Sequence, residues 1–143
     1  MSIKGKAYIA GVFEHPLRKA PNHSLSQLHA EIAKGTLEDA GLTKNDIDGL
    51  FVAGDAPGGN AWSLANYMNL NQLKHIDSTD MGGCSYMLHV AHAAEAIAAG
   101  KCNVALVTLA GRPNSEGSSG TQVRERGAGV PDSPFEDRKS TRL

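Results

Sequence analysis

Aromatic residues are scarce in this chain: one Trp, three Tyr and three Phe among 143 residues. A core built from this sequence must be packed from Ala, Leu, Val and Ile. Only two cysteines are present, Cys84 and Cys102, which excludes a disulfide framework. No apolar run approaches the roughly 20 residues that cross a bilayer. The N-terminal MSIKGKAYIAGVFEHP is interrupted by Gly5, Lys6 and Glu14 before any signal-peptide core develops. Neither sign of charge is in excess, with 14 Lys+Arg against 15 Asp+Glu and a formal charge of −1. A nucleic-acid surface needs a clustered basic excess, so that partner is excluded. These absences leave the expectation of a soluble cytoplasmic protein. A chain of this length can bury roughly 70% of its unfolded surface, enough for one core.

Periodicity gives an alternating order of elements. KAYIAGVFE (Lys6 to Glu14) reads as a first strand, followed by a loop at Pro16 and Pro21. Ser24 is an N-cap candidate for a helix whose Leu25, Leu28, Ile32, Ala33, Leu37 and Ala40 share one face, with Gly41 closing it. Thr43 and Asp46 read as a capped turn feeding a second strand, Gly49 to Asp55. Pro57 to Asn60 is a loop, Ala61 to Leu70 a short helix, and Lys74 to Thr79 a third strand. A last helix, from Cys84 to Ala99 or Gly100, precedes a fourth strand at Asn103 to Gly111. Strands alternating with helices imply an α/β fold with a mostly parallel sheet. From Arg112 the composition turns to Gly, Ser, Pro and charge. Residues 1–111 therefore read as one α/β domain and 112–143 as an irregular or disordered tail, and the chain as a truncated one.

The segment MGGCSYMLHVAHAAEAIAAGKCNVALV (Met81 to Val107) carries most of the chemistry. Alanines at 91, 93, 94, 96, 98 and 99 make a helix that is small and apolar most of the way round, which predicts the most buried helix of the fold. Cys84 begins it after Gly82-Gly83. There the helix dipole and unpaired N–H groups favour a thiolate, the preparation of a nucleophile; a small apolar filler is the other reading. Cys102 lies roughly 20 Å or more away along such a helix, beyond the roughly 7 Å that a disulfide spans, and reads as the start of a strand. His89 and His92 stand three apart, but no Cys, Asp or Glu at matching spacing completes a metal site. They read as partly buried, hydrogen-bonded histidines. Gly58-Gly59 lacks the Lys-Ser/Thr pair of a phosphate loop, and Arg18-Lys19 reads as a solvated loop face.

Two stretches, LEDAGLTKNDIDGLFVAGD (Leu37 to Asp55) and GGCSYMLHVAHAAEAIAAGKCNVALVTLAG (Gly82 to Gly111), resemble the N-terminal half of the thiolase superfamily, in the flavour of its sterol-carrier-protein-type or lipid-transfer branch. The resemblance implies an acyltransferase of the acetyl-CoA acetyltransferase or 3-ketoacyl-CoA thiolase class, with Cys84 as the acyl-carrying nucleophile. It implies a coenzyme A thioester as substrate, no bound cofactor and a homo-oligomer for the full-length protein. The alternative within the branch is a non-thiolytic lipid-transfer or scaffold subunit that binds CoA thioesters or a small OB-fold partner. Two departures from the family pattern bear on the choice. Ser85, Tyr86 and Met87 follow Cys84 where active members have small residues and a glycine. Counting back from Gly100 over the family's helix length lands on Gly83, and one residue turns a helical side chain by about 100°. The family's histidine, second cysteine and much of its CoA site belong to the C-terminal half. None of His15, His23, His29, His75, His89 or His92 stands in a matching motif.

Overall fold

The computed structural model describes residues 2–53 and 61–111. The loop read at Pro57 to Asn60, the end of the second strand at Asp55 and the tail 112–143 lie outside the described residues. Chain contacts gather Met1–Arg18 and Asn22–Gly111 into a first group. The first group carries every helix and strand described.

Among the described residues three α-helices and three strands alternate after an entry segment: α1 (Leu25–Ala40), β1 (Gly49–Phe51), α2 (Ala61–Met68), β2 (His75–Asp77), α3 (Ser85–Ala98) and β3 (Ala105–Val107). The strands form a parallel sheet in the order β2-β1-β3. Leu50 lies opposite Ile76 on one side and Leu106 on the other. Because side chains alternate along a strand, the central β1 serves two cores. Leu50 and Val52 pack with Ala33, Ile47, Leu64, Ala65 and Leu106 toward α1 and α2. Phe51 packs with Ala93, Ala96 and Cys102 toward α3. A strand covered on both faces must be apolar throughout, and GLFVA is. The chain is mixed α/β with a small parallel sheet.

The first helix follows from its local sequence. The Ser24 hydroxyl accepts the Gln27 N–H at 3.0 Å, and Gly41 closes the helix at φ 67°, a conformation that favours glycine. The following turn is tied by Asp46, whose carboxylate accepts the Thr43 N–H at 2.8 Å and the Thr43 hydroxyl at 2.7 Å.

The first strand read at Lys6 to Glu14 is not a strand. A strand needs a ladder partner for its backbone, and none pairs with this segment among the described residues. It lies beside α1 instead. The Val12 N–H donates to Asp39 Oδ2 at 2.8 Å, and Phe13 lies over Gly35, while Tyr8, Ile9 and Val12 are exposed. A Cβ built on Gly35 would stand 2.5 Å from the Phe13 ring. Gly→Ala in a helix interior ordinarily gains about 1 kcal/mol. Here Gly35→Ala is expected to lower stability by about 1–3 kcal/mol through overpacking. A chemical melt that finds the variant more stable than the parent would contradict the Phe13 contact.

Asp48, just ahead of β1, ties the N-terminal ends of the sheet together. Its Oδ1 accepts the N–H groups of Asn103 at 2.7 Å and Val104 at 2.8 Å. Its Oδ2 accepts from Asn103 Nδ2 at 3.0 Å and Lys74 Nζ at 3.2 Å.

Candidate functional site

The helix α3 is not buried all round as its alanines suggested. One face, Ser85, His89, Ala93 and Ala96, is buried, whereas Met87 and Val90 on other faces are exposed. Small side chains permit close approach but do not ensure that a neighbour covers every side, and among the described residues only the sheet side is covered.

On the buried face a polar seam joins the chain leaving β2 to α3. Going down the strand exit and up the helix, Asp80 meets Ser85, Thr79 meets His89, and Asp77 meets His92. The Ser85 hydroxyl accepts the Met81 N–H at 2.7 Å, stands 2.7 Å from the Gly82 carbonyl, and lies 3.4 Å from Asp80 Oδ1. It thereby fixes the Gly82-Gly83 turn into the helix. His89 Nε2 stands 2.8 Å from the Thr79 carbonyl. That oxygen only accepts, so Nε2 carries the proton. Nδ1 is then a bare acceptor, buried without a donor among the described residues. The ring packs against Phe51 and Tyr86.

His92 has the opposite tautomer. Its Nδ1 is 2.6 Å from Asp77 Oδ2, and a carboxylate only accepts, so Nδ1 carries the proton. The other Asp77 oxygen accepts both the Thr79 N–H at 2.8 Å and the Thr79 hydroxyl at 2.6 Å. Burial pushes the Asp77 carboxyl up. The Thr79 hydroxyl and N–H, the His92 hydrogen bond and the His92 charge outweigh it and bring the pKa down to about 2. The carboxylate is therefore ionised throughout the neutral range. Both histidines are the hydrogen-bonded, partly or fully buried residues read from the sequence.

Cys84 sits at the N-cap of α3, as expected, but outside the seam. It is exposed, and its Sγ donates to the Met81 carbonyl at 3.1 Å. Among the described residues no imidazole or carboxylate is hydrogen-bonded to that sulfur. Among the described residues, Cβ atoms placed at Gly82 and Gly83 would meet nothing within 4 Å. Cys102 lies three residues ahead of β3, not at its first position. It is a free, buried thiol, pushed up by burial and by the neighbouring Asp48 charge, against a smaller opposing effect of Lys74.

A second group of titratable residues gathers around Glu31 of α1. His15 Nε2 is 2.9 Å from Glu31 Oε2, and His23 Nε2 is 3.9 Å from the same oxygen. This is not a metal centre. His15 Nδ1 accepts the Leu17 N–H at 3.2 Å, so its Nε2 carries the proton and has no lone pair for a metal. Among the described residues no cluster of three metal-ligating side chains occurs. Arg18 pairs with Glu14 at the surface, the solvated face read from Arg18-Lys19.

No family model matches this sequence, and no curated protein matches it. Among solved structures it is similar to a chain of one described as an Ltp2-ChsH2(DUF35) aldolase, with a TM-score of 0.66 and 26% identity. The match covers 90% of this chain and 34% of that one. The chain thus spans about a third of the length of the solved chain it matches. That neighbour is described as an aldolase, not a thiolase. Among the described residues no helix is long and apolar enough to cross a membrane.

Proposed function

We propose that this chain supplies the N-terminal α/β portion of an aldolase-type carbon–carbon lyase of thiolase-like build, acting on a coenzyme A thioester of a lipid-derived acid without a cysteine acyl-enzyme. The observation that carries this reading is the setting of Cys84. A nucleophilic thiol is activated by a base within hydrogen-bond reach, and the sulfur here is committed to a main-chain carbonyl. The likeness to a solved aldolase supports the same choice. In such a reaction a base takes the proton of a 3-hydroxyl group and the C2–C3 bond breaks. C3 leaves as a carbonyl, and the electron pair stays on C2 as a thioester enolate, which is then protonated. The non-thiolytic alternative with a small OB-fold partner belongs to this reading.

The structural feature that favours the thiolase reading is the position of Cys84 at the N-cap of α3. The two are separated by one experiment. The chain, alone and with an OB-fold partner subunit, is incubated with a 3-hydroxyacyl-CoA and, separately, with acetyl-CoA. The expected result is carbonyl release from the first that is unchanged in Cys84→Ala, and no acetyl adduct on the protein from the second. An acetylated Cys84, with CoA release abolished by Cys84→Ala, would restore the thiolase reading.

A further inference from the structure

The seam contains a group to which the lyase reading has so far assigned no role. His92 is held by Asp77 through Nδ1, its side chain is 32% exposed, and no described residue is hydrogen-bonded to Nε2. One nitrogen is thus fixed as a donor to a carboxylate, and among the described residues the other is an unencumbered lone pair on a side chain that is one-third exposed. That is the arrangement in which a carboxylate orients an imidazole as a base and stabilises the imidazolium once it forms. A structural histidine can bury both ring nitrogens. His89, four-fifths of a turn away on the same helix, is such a residue: fully buried, with its bare nitrogen enclosed.

We infer that His92, oriented by Asp77, is a proton-transfer residue for a carbon acid bound at this face of the sheet, the α-carbon of a thioester. The inference rests on the lyase reading for the identity of that acid. In the addition direction, the reverse of cleavage, Nε2 takes the proton from C2, and the C–H electron pair is delocalised onto the thioester oxygen as an enolate. The imidazolium charge is balanced by Asp77. In the cleavage direction His92 enters as the imidazolium, protonated from solvent, and gives its Nε2 proton to C2 of the enolate left by C2–C3 cleavage. No oxidant or further reactant enters.

Asp77 also supplies an isosteric test. Thr79 places two donors on Oδ1, so an asparagine at 77 must keep its oxygen there and turn its amide N–H₂ toward His92 Nδ1. His92 is then forced into the tautomer with the proton on Nε2, and the free lone pair disappears while shape and packing remain. The full chain is incubated with propionyl-CoA in D₂O, and deuterium at C2 is followed by mass spectrometry. Long-range ¹H–¹⁵N spectra report the tautomer in parallel, and far- and near-UV circular dichroism report folding.

The expected result is exchange at least tenfold above buffer, reduced to the buffer rate in both His92→Gln and Asp77→Asn. The Asp77→Asn spectrum should show the His92 proton moved from Nδ1 to Nε2. Exchange no faster than buffer in the parent chain overturns the inference, as does exchange that persists in either folded variant. An unchanged tautomer in Asp77→Asn overturns the role of Asp77. Each of these outcomes leaves the lyase reading to stand or fall on carbonyl release alone.

Discussion

Phe51→Ala is expected to remove about 3–5 kcal/mol of folding stability, the range for deleting a fully buried phenylalanine. Phe51 is the one large apolar side chain that β1 sends toward α3, and its exposure is 0%. Its buried neighbours there are Ala93, Ala96 and Cys102, with the partly buried Ile97, Ala105 and Val107 packed against them; the three buried ones are too small to fill the residual cavity by a rotamer change. The ring also stands 5.5 Å from that of His75 and 6.3 Å from that of His89, so its loss frees the histidine that anchors the seam to Thr79. Phe51→Leu keeps most of the volume and should cost less than half as much. Denaturant melts of the parent and the two variants check the ranking. An alanine variant within about 1 kcal/mol of the parent would mean that the α3 side of the sheet is not a packed core.

The sequence made α1 legible because every signal needed for it is local: Ser24, the Leu28 to Ala33 face and Gly41 lie within one short window. The apolar runs at Gly49, His75 and Ala105 were legible for the same reason, and they form the sheet. Lys6 to Glu14 shows where local reading stops. Its alternation suits a strand, but a strand is a relation between two segments, and this one found α1 and the Phe13–Gly35 contact instead. The alanines of α3 stated how closely a neighbour can approach, not which faces have one. The candidate site was half visible. Cys84 and the two histidines stood out by type and position, whereas Asp77, Thr79, Asp80 and Ser85 read as ordinary polar residues around a glycine turn. Their importance lies in being met by a helix two turns further along the chain, which no spacing within DSTDMGGCS expresses. Asp48 was missed in the same way, since its partners are 26 and 55 residues distant.

Asp48→Ala is expected to cost about 2–4 kcal/mol, because it strips buried hydrogen bonds from a charged acceptor and leaves donors unpaired. The Asp48 side chain is 8% exposed and accepts four hydrogen bonds from three residues. Asp48→Asn separates charge from geometry. Its oxygen can keep the N–H groups of Asn103 and Val104, but its own N–H₂ then faces the Lys74 ammonium and the Asn103 amide, two further donors. The loss should be close to that of alanine, although the shape is retained. Acid adds an independent check. Burial raises the Asp48 carboxyl, but the Val104 and Asn103 N–H groups, Lys74 and the Asn103 amide together bring it from the ordinary 3.8 down to about 2. A carboxyl lowered by folding stabilises the native state above its unfolded pKa, and that contribution is lost as pH falls through the folded value. The parent should therefore lose about 2 kcal/mol from this group between about pH 4 and pH 2. Asp48→Asn has no such proton to take up, so the stability gap between parent and variant should narrow across that interval. A gap that stays constant from pH 6 to pH 2 would show that the Asp48 carboxylate is not held ionised by the sheet.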